Sequence, residues 1–333
     1  MGCKSEVGKK KEAFTNYIKS LPELKVLTKD KNYTLIVDYV YDPLLPKLSN
    51  IEMKKLFKNT IAYTKKLLGY TIKLQLRKKM HISQYFKDKM VFINHKVLSY
   101  PIDSWYLDYS SKDIYEKVKM VITKVISRKS QKVLNNYFGT ITSTKEMYVQ
   151  TITDNFFKNL KGIYSEKDES GKPFYHPEKN NIRKYHISFT HWDAILLQQK
   201  DADFILTNTA IVGPDKGMPV YVIKRGGVTS AFVENNKHRP FQAAGVITQY
   251  PMLSNGPFFK KIRGVYSRKD SIRAIAIIWV HELGHFLMRK KENYSLKGSV
   301  HRTAADLDYK KWTVEIIKTN KSQSDAIGTL KKF

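Results

Sequence analysis

The sequence predicts an α+β protein, and three observations carry that prediction. Residues 33–76 read as strand, helix, strand; four further strand signals crowd residues 203–250; and a helix that is apolar on every side follows over Ser271 to Lys290. The two strand-bearing blocks are separated by a long stretch of mostly helical periodicity. With 333 residues and 42% hydrophobic content, including 21 Tyr and 16 Phe, the chain has ample material for a core and is no disordered tail. No internal repeat is visible.

Taken in order, residues 1–20 are polar and read as a flexible tether. The first part of the main domain spans 21–80. Within it, Tyr33 to Val40 is β-branched and aromatic, a good strand, ended by Asp42-Pro43 and Pro46. Ser49-Asn50 opens a helix whose apolar stripe runs through Ile51, Met53, Leu56, Phe57, Ile61 and Leu67 until Gly69 stops it. Tyr70 to Leu76 then alternates as a half-buried strand. Residues 81–190 form an insertion, with one amphipathic helix over Ile114 to Ile126, another over Thr144 to Leu160, and a loop over Ser165 to Asn181. The main domain resumes over 191–333. A short helix around Trp192 to Gln199 is followed by strands at Asp203–Thr207, Pro219–Ile223, Val228–Val233 and Ala243–Tyr250, with Gly226-Gly227 as a turn or bulge.

The helix over 271–290 carries the chemistry. His281-Glu282-Leu283-Gly284-His285 reads H-E-x-x-H, and residues four apart on a helix lie about 40° apart on one face. Two imidazoles so placed can grip one Zn²⁺, and Glu282 beside the first can take a proton from water at the metal. The run before them, Ile272 through Val280, is apolar all round and marks a buried helix. Two His and a Glu at its inner end would be costly to bury without a partner, and a metal supplies one. The alternative is a chance motif on core histidines. Gly284, inside the helix, costs about 1 kcal/mol against Ala and implies that something approaches its backbone closely.

Strand, helix, strand, further strands and then a helix bearing H-E-x-x-H resembles the zincin metallopeptidases, and among them the metzincin clan, archaemetzincins and matrixins included. The resemblance implies a mixed, twisted sheet lying over the active-site helix. It also implies an edge strand that borders the cleft and pairs with an extended peptide, here Val228–Val233. It covers His281 to His285 sharply, residues 30–80 and 200–310 loosely, and the insertion not at all. Metzincins continue H-E-x-x-H-x-x-G-x-x-H, whereas this chain has Met288 and Lys291 at the last two of those positions. Lys is no zinc ligand, so the third must come from elsewhere. Gly298-Ser299-Val300-His301 falls near the place where metzincins make a small-residue turn ending in Met. His301 there is the preferred third ligand. Glu292 follows, by analogy with gluzincins, then Asp306 and Asp308, with Glu315 as the outside choice. Tyr309 is a candidate for steadying a developing oxyanion, as tyrosines near this turn do in some metzincins.

The expected activity is therefore zinc-dependent hydrolysis of peptide bonds, with a peptide or protein as substrate. The alternative is a zincin-shaped surface protein, an adhesin or lipoprotein that binds but does not cleave. A formal net charge of +29 raises a nucleic-acid partner, but Lys is scattered through nearly every segment and greatly outnumbers Arg, which argues against sequence readout. The single cysteine, Cys3, excludes an intramolecular disulfide. Met1-Gly2-Cys3-Lys4-Ser5 and the Lys-rich stretch after it look like the start of a mature bacterial lipoprotein, with Cys3 as membrane anchor and an extracytoplasmic location. Met1-Gly2 as a leftover of expression is the alternative. Glu6 stands where a myristoylation signal wants Ser or Thr. No apolar run appears long enough to span a membrane.

Overall fold

The computed structural model describes residues 32–43, 45–86, 90–93, 96–99, 110–138, 144–164, 202–209, 226–230, 244–288, 298–302 and 309–319. Strand β1 (Asn32–Tyr41) and strand β2 (Thr71–His81) pair in parallel, joined by helix α1 (Asn50–Leu68). Helix α1 begins with a capping box: Ser49 Oγ accepts from Glu52 N at 3.3 Å, and Glu52 Oε2 accepts from Ser49 N at 2.8 Å. This is the expected strand–helix–strand unit, and β2 runs five residues beyond the predicted Leu76.

Strands β5 (Phe204–Thr207), β6 (Gly227–Ser230) and β7 (Ala244–Thr248) complete a five-stranded sheet in the order β2-β1-β5-β7-β6. The first four of these are mutually parallel, and β6 runs antiparallel to β7 at the edge, pairing Gly227 with Ile247 and Ser230 with Ala244. The sheet is thus mixed, mainly parallel, and the chain combines helices and strands in a way compatible with the expected α+β class. Pro219–Ile223 and residues 231–233 of the predicted strands lie outside the described residues, as do the Trp192–Gln199 helix and the Ser165–Asn181 loop.

The block after β2 is less uniformly helical than expected. Helix α2 (Ile82–Phe86) comes first, and then β3 (Met90–Ile93) and β4 (Lys96–Ser99) form an antiparallel pair. Three helices follow, α3 (Lys112–Ser127), α4 (Gln131–Phe138) and α5 (Lys145–Tyr164). They share a small core of Ile122, Ile126, Leu134, Tyr148, Val149 and Ile152. Phe156 and Phe157, near the other end of α5, belong to the main core, so the insertion is stitched into the body of the protein.

Two short helices, α6 (Tyr250–Leu253) and α7 (Pro257–Arg263), lead into α8 (Arg268–Met288), which packs against α1, β6 and β7. Trp279 is the wedge that seats it. Its ring meets Phe57 of α1 edge-on at 5.5 Å and Phe204 of β5 at 5.8 Å, and Phe204 in turn meets Phe286 at 5.0 Å. At its outer end Arg268 clasps Glu52 with two prongs, at 2.8 and 2.9 Å, tying the start of α8 to the start of α1. The expectation that no stretch could cross a membrane is corrected by α8. Its 21 residues are long and apolar enough, yet 89% of its most apolar window is buried inside the protein, as befits a core helix. Helix α9 (Tyr309–Thr319) closes the described chain and packs on α8.

Candidate metal centre

The H-E-x-x-H residues lie on the last three turns of α8, with His281 5% exposed, Glu282 4% exposed and His285 half-buried. The spacing of four does what the helix period requires. His281 Nε2 and His285 Nε2 converge to 3.2 Å, with the ring planes at 87°. Two imidazole nitrogens this close share either a proton or a metal ion. Nitrogens bound at about 2.0–2.1 Å to one tetrahedral zinc would lie about 3.3–3.4 Å apart, so the spacing of the pair is close to what that ion needs.

The far side of His281 decides which nitrogen is available. Its Nδ1 lies 2.5 Å from the carbonyl oxygen of Val300. A carbonyl only accepts, so Nδ1 carries the proton and Nε2 presents its lone pair toward His285. Metal-binding histidines are oriented in this way by an acceptor on the other ring nitrogen. Val300 was not foreseen in this role, because a backbone carbonyl leaves no mark in a sequence.

Glu282 lies under the edge strand. An alanine Cβ at Gly227 would come within 2.7 Å of Glu282 Cγ and 3.0 Å of its Oε1, so β6 approaches the carboxylate as closely as a glycine permits. The sequence reads Gly226-Gly227 as a turn or bulge; Gly227 instead opens β6, paired in register with Ile247, and it is the close contact with α8 that calls for the missing side chain.

His301 sits beneath the motif, 4% exposed, in the turn at residues 298–302. The close approach expected at Gly284 is made by this ring: an alanine Cβ on Gly284 would lie 2.4 Å from His301 Cε1 and 2.7 Å from Nδ1. His301 is therefore packed on the backbone between His281 and His285. Among the described residues, no three His, Cys, Asp or Glu side chains gather into a group that would hold a metal. Glu292, Asp306, Asp308 and Lys291 lie outside the described residues, as does Cys3, and Glu315 is exposed on α9. Tyr309, 7% exposed, turns its ring edge to Trp312 at 5.9 Å, and Trp312 meets His281 at 6.1 Å. Trp312 was not singled out from the sequence. Its position three residues after Tyr309, on the inner face of an amphipathic helix, was the available signal.

Compared with known protein families, with curated proteins and with solved structures, the chain has no match.

Proposed function

We propose that this protein is a zinc-dependent metallopeptidase of zincin-like architecture. The observation that carries the reading is the convergence of His281 Nε2 and His285 Nε2 to 3.2 Å, with the outer nitrogen of His281 bonded to Val300 O. His281 and His285 hold the metal through these nitrogens. His301 is assigned as the third ligand, which requires its ring to turn from Gly284, and Glu292, Asp306 and Asp308 are the carboxylate rivals. Zinc bound there supplies a Lewis acid for the scissile carbonyl and brings the pKa of a water toward about 7.

Glu282 accepts the proton of the attacking water and passes it to the leaving amine, so one carboxylate serves as base and then as acid. Tyr309 is assigned to steady the negative charge that develops on the attacked carbonyl oxygen. The edge strand β6, directly over Glu282, offers its backbone to an extended peptide. Among the described residues no strand pairs with its outer side, which supports that use. An extracytoplasmic location with lipid anchoring through Cys3 is part of the same proposal.

The second reading, a zincin-shaped binding protein without activity, is favoured by one observation: no third ligand joins the histidine pair among the described residues. Glu282→Gln separates the two. With zinc loading matched, the peptidase reading expects wild type to cleave a broad peptide library and Glu282→Gln to keep its metal while losing roughly 10²–10⁴-fold in rate. Equal inertness of both proteins under those conditions would leave the binding reading standing.

A further inference from the structure

We infer that helix α9 is a clamp that sets the tautomer and aim of His281, with Trp312 as its positioning residue. The inference rests on the proposed metal site and adds a part that the H-E-x-x-H motif does not contain. The hydrogen bond from His281 to Val300 O fixes which ring nitrogen faces the metal position. That carbonyl is only as steady as the turn that carries it, and the turn is short. Arg302 N donates to Ser299 O at 3.1 Å, and His301 N donates to Ser299 Oγ at 3.1 Å, which curls residues 299–302 on themselves.

Trp312 binds this turn and the histidine at once. Its Nε1 donates to Arg302 O at 2.8 Å, while its ring meets the His281 ring at 6.1 Å and 74°. One rigid indole therefore sets the spacing between His281 and the segment that supplies the acceptor for His281. Tyr309, one helical turn earlier, backs the indole edge-on. At the other end of α9, the Thr319 side chain packs on Gly298, with Oγ1 3.2 Å from Gly298 O. That hydroxyl has one proton and also lies within 3.0 Å of Glu315 O and Ile316 O, so its contribution is chiefly packing. Trp312 supplies a directional link.

A change that silences only the indole N–H tests this. Replacing Trp312 by its benzothienyl isostere keeps the ring and its packing and removes the donor; Trp312→Phe removes the donor and part of the ring. Outer-shell partners of metal-bound histidines are worth roughly 10–100-fold in affinity. The isostere is expected to weaken zinc binding about tenfold in chelator competition and Trp312→Phe by up to about 100-fold. In the metal-free full chain, ¹⁵N spectra should show His281 as the Nδ1–H tautomer in wild type and as a tautomer mixture in both variants. Folded variants that keep wild-type zinc affinity and the pure Nδ1–H signal would overturn the clamp. If wild type takes up no zinc, the metal reading fails, and the tautomer comparison still decides whether Trp312 positions His281.

Discussion

The two sides of His281 are held by different means. On the helix side, α8 is fixed by bulk: Ile275, Ala276, Ile277, Trp279, Val280 and Leu283 are fully buried against α1 and the sheet. On the turn side, Val300, His301 and Arg302 are held by a few directed links, among them Val300 O to His281 Nδ1 and Arg302 O to Trp312 Nε1. Non-directional packing places a helix firmly but cannot choose a tautomer. Hydrogen bonds choose the tautomer, and losing one costs about 1–3 kcal/mol at the buried groups it leaves unpaired, a local loss that need not unseat the helix. The site joins both, so damage to either side should look different.

The largest expected effect is on the helix side. Trp279→Ala removes the wedge between Phe57 and Phe204 and should cost about 3–5 kcal/mol, a large share of a typical domain's stability. Chemical denaturation should show the loss globally, with zinc binding and α8 protection failing together. A mild, local effect would mean that packing does not hold this half.

Gly284→Ala should act mainly on the turn. Its Cβ would press on His301 Cε1 at 2.4 Å, and overpacking of that kind costs about 1–3 kcal/mol. Alanine returns about 1 kcal/mol of helix propensity over glycine, so global stability should move little. The expected signature is faster amide hydrogen exchange at residues 299–302 with α8 unchanged. Unaltered exchange in the turn would break the proposed division of labour.

The smallest effect lies at the outer end of α8, far along the helix from the turn. Hydrogen bonds from Arg268 hold the Glu52 carboxyl down at about 2, below the roughly 4.3 of an unfolded chain. A lowered folded value means that the stabilisation is complete above about pH 4.3 and is lost as pH falls toward 2. Because the pair is part-exposed, Glu52→Gln should cost only about 0.5–1 kcal/mol at neutral pH. Acid unfolding curves of the two proteins should converge as pH drops, and zinc affinity should stay unchanged.

The helix side was legible in the sequence; on the turn side the sequence located the turn at Gly298–His301 and the close approach at Gly284, but not the hydrogen bonds that hold His281. An apolar run from Ile272 to Val280 announces a buried helix whatever its neighbours, and H-E-x-x-H fixes its own geometry through the helix period. The strands at 33–40, 70–76, 203–207 and 243–250 were likewise readable, because β-branched runs bounded by turn residues carry their own signal. The β3–β4 pair was missed within a block read as helical, although M-V-F-I and K-V-L-S are short strand-like runs only two residues apart in the sequence. Helices α6 and α7, at four and seven residues, are too short for periodicity to register. Val300 contributes a carbonyl that every residue has. Trp312 matters only because the fold brings it to a segment ten residues earlier in the chain. Local pattern cannot report either one.

The proposed zinc site stands or falls with His281 and His285. The deciding experiment is calorimetric titration of the metal-free full chain with Zn²⁺, run beside His281→Ala and His285→Ala. Wild type should bind about one equivalent of zinc tightly, and each single variant should lose that binding, because neither imidazole alone holds the ion. Absence of binding in wild type, or full retention in His281→Ala, would contradict the proposed site.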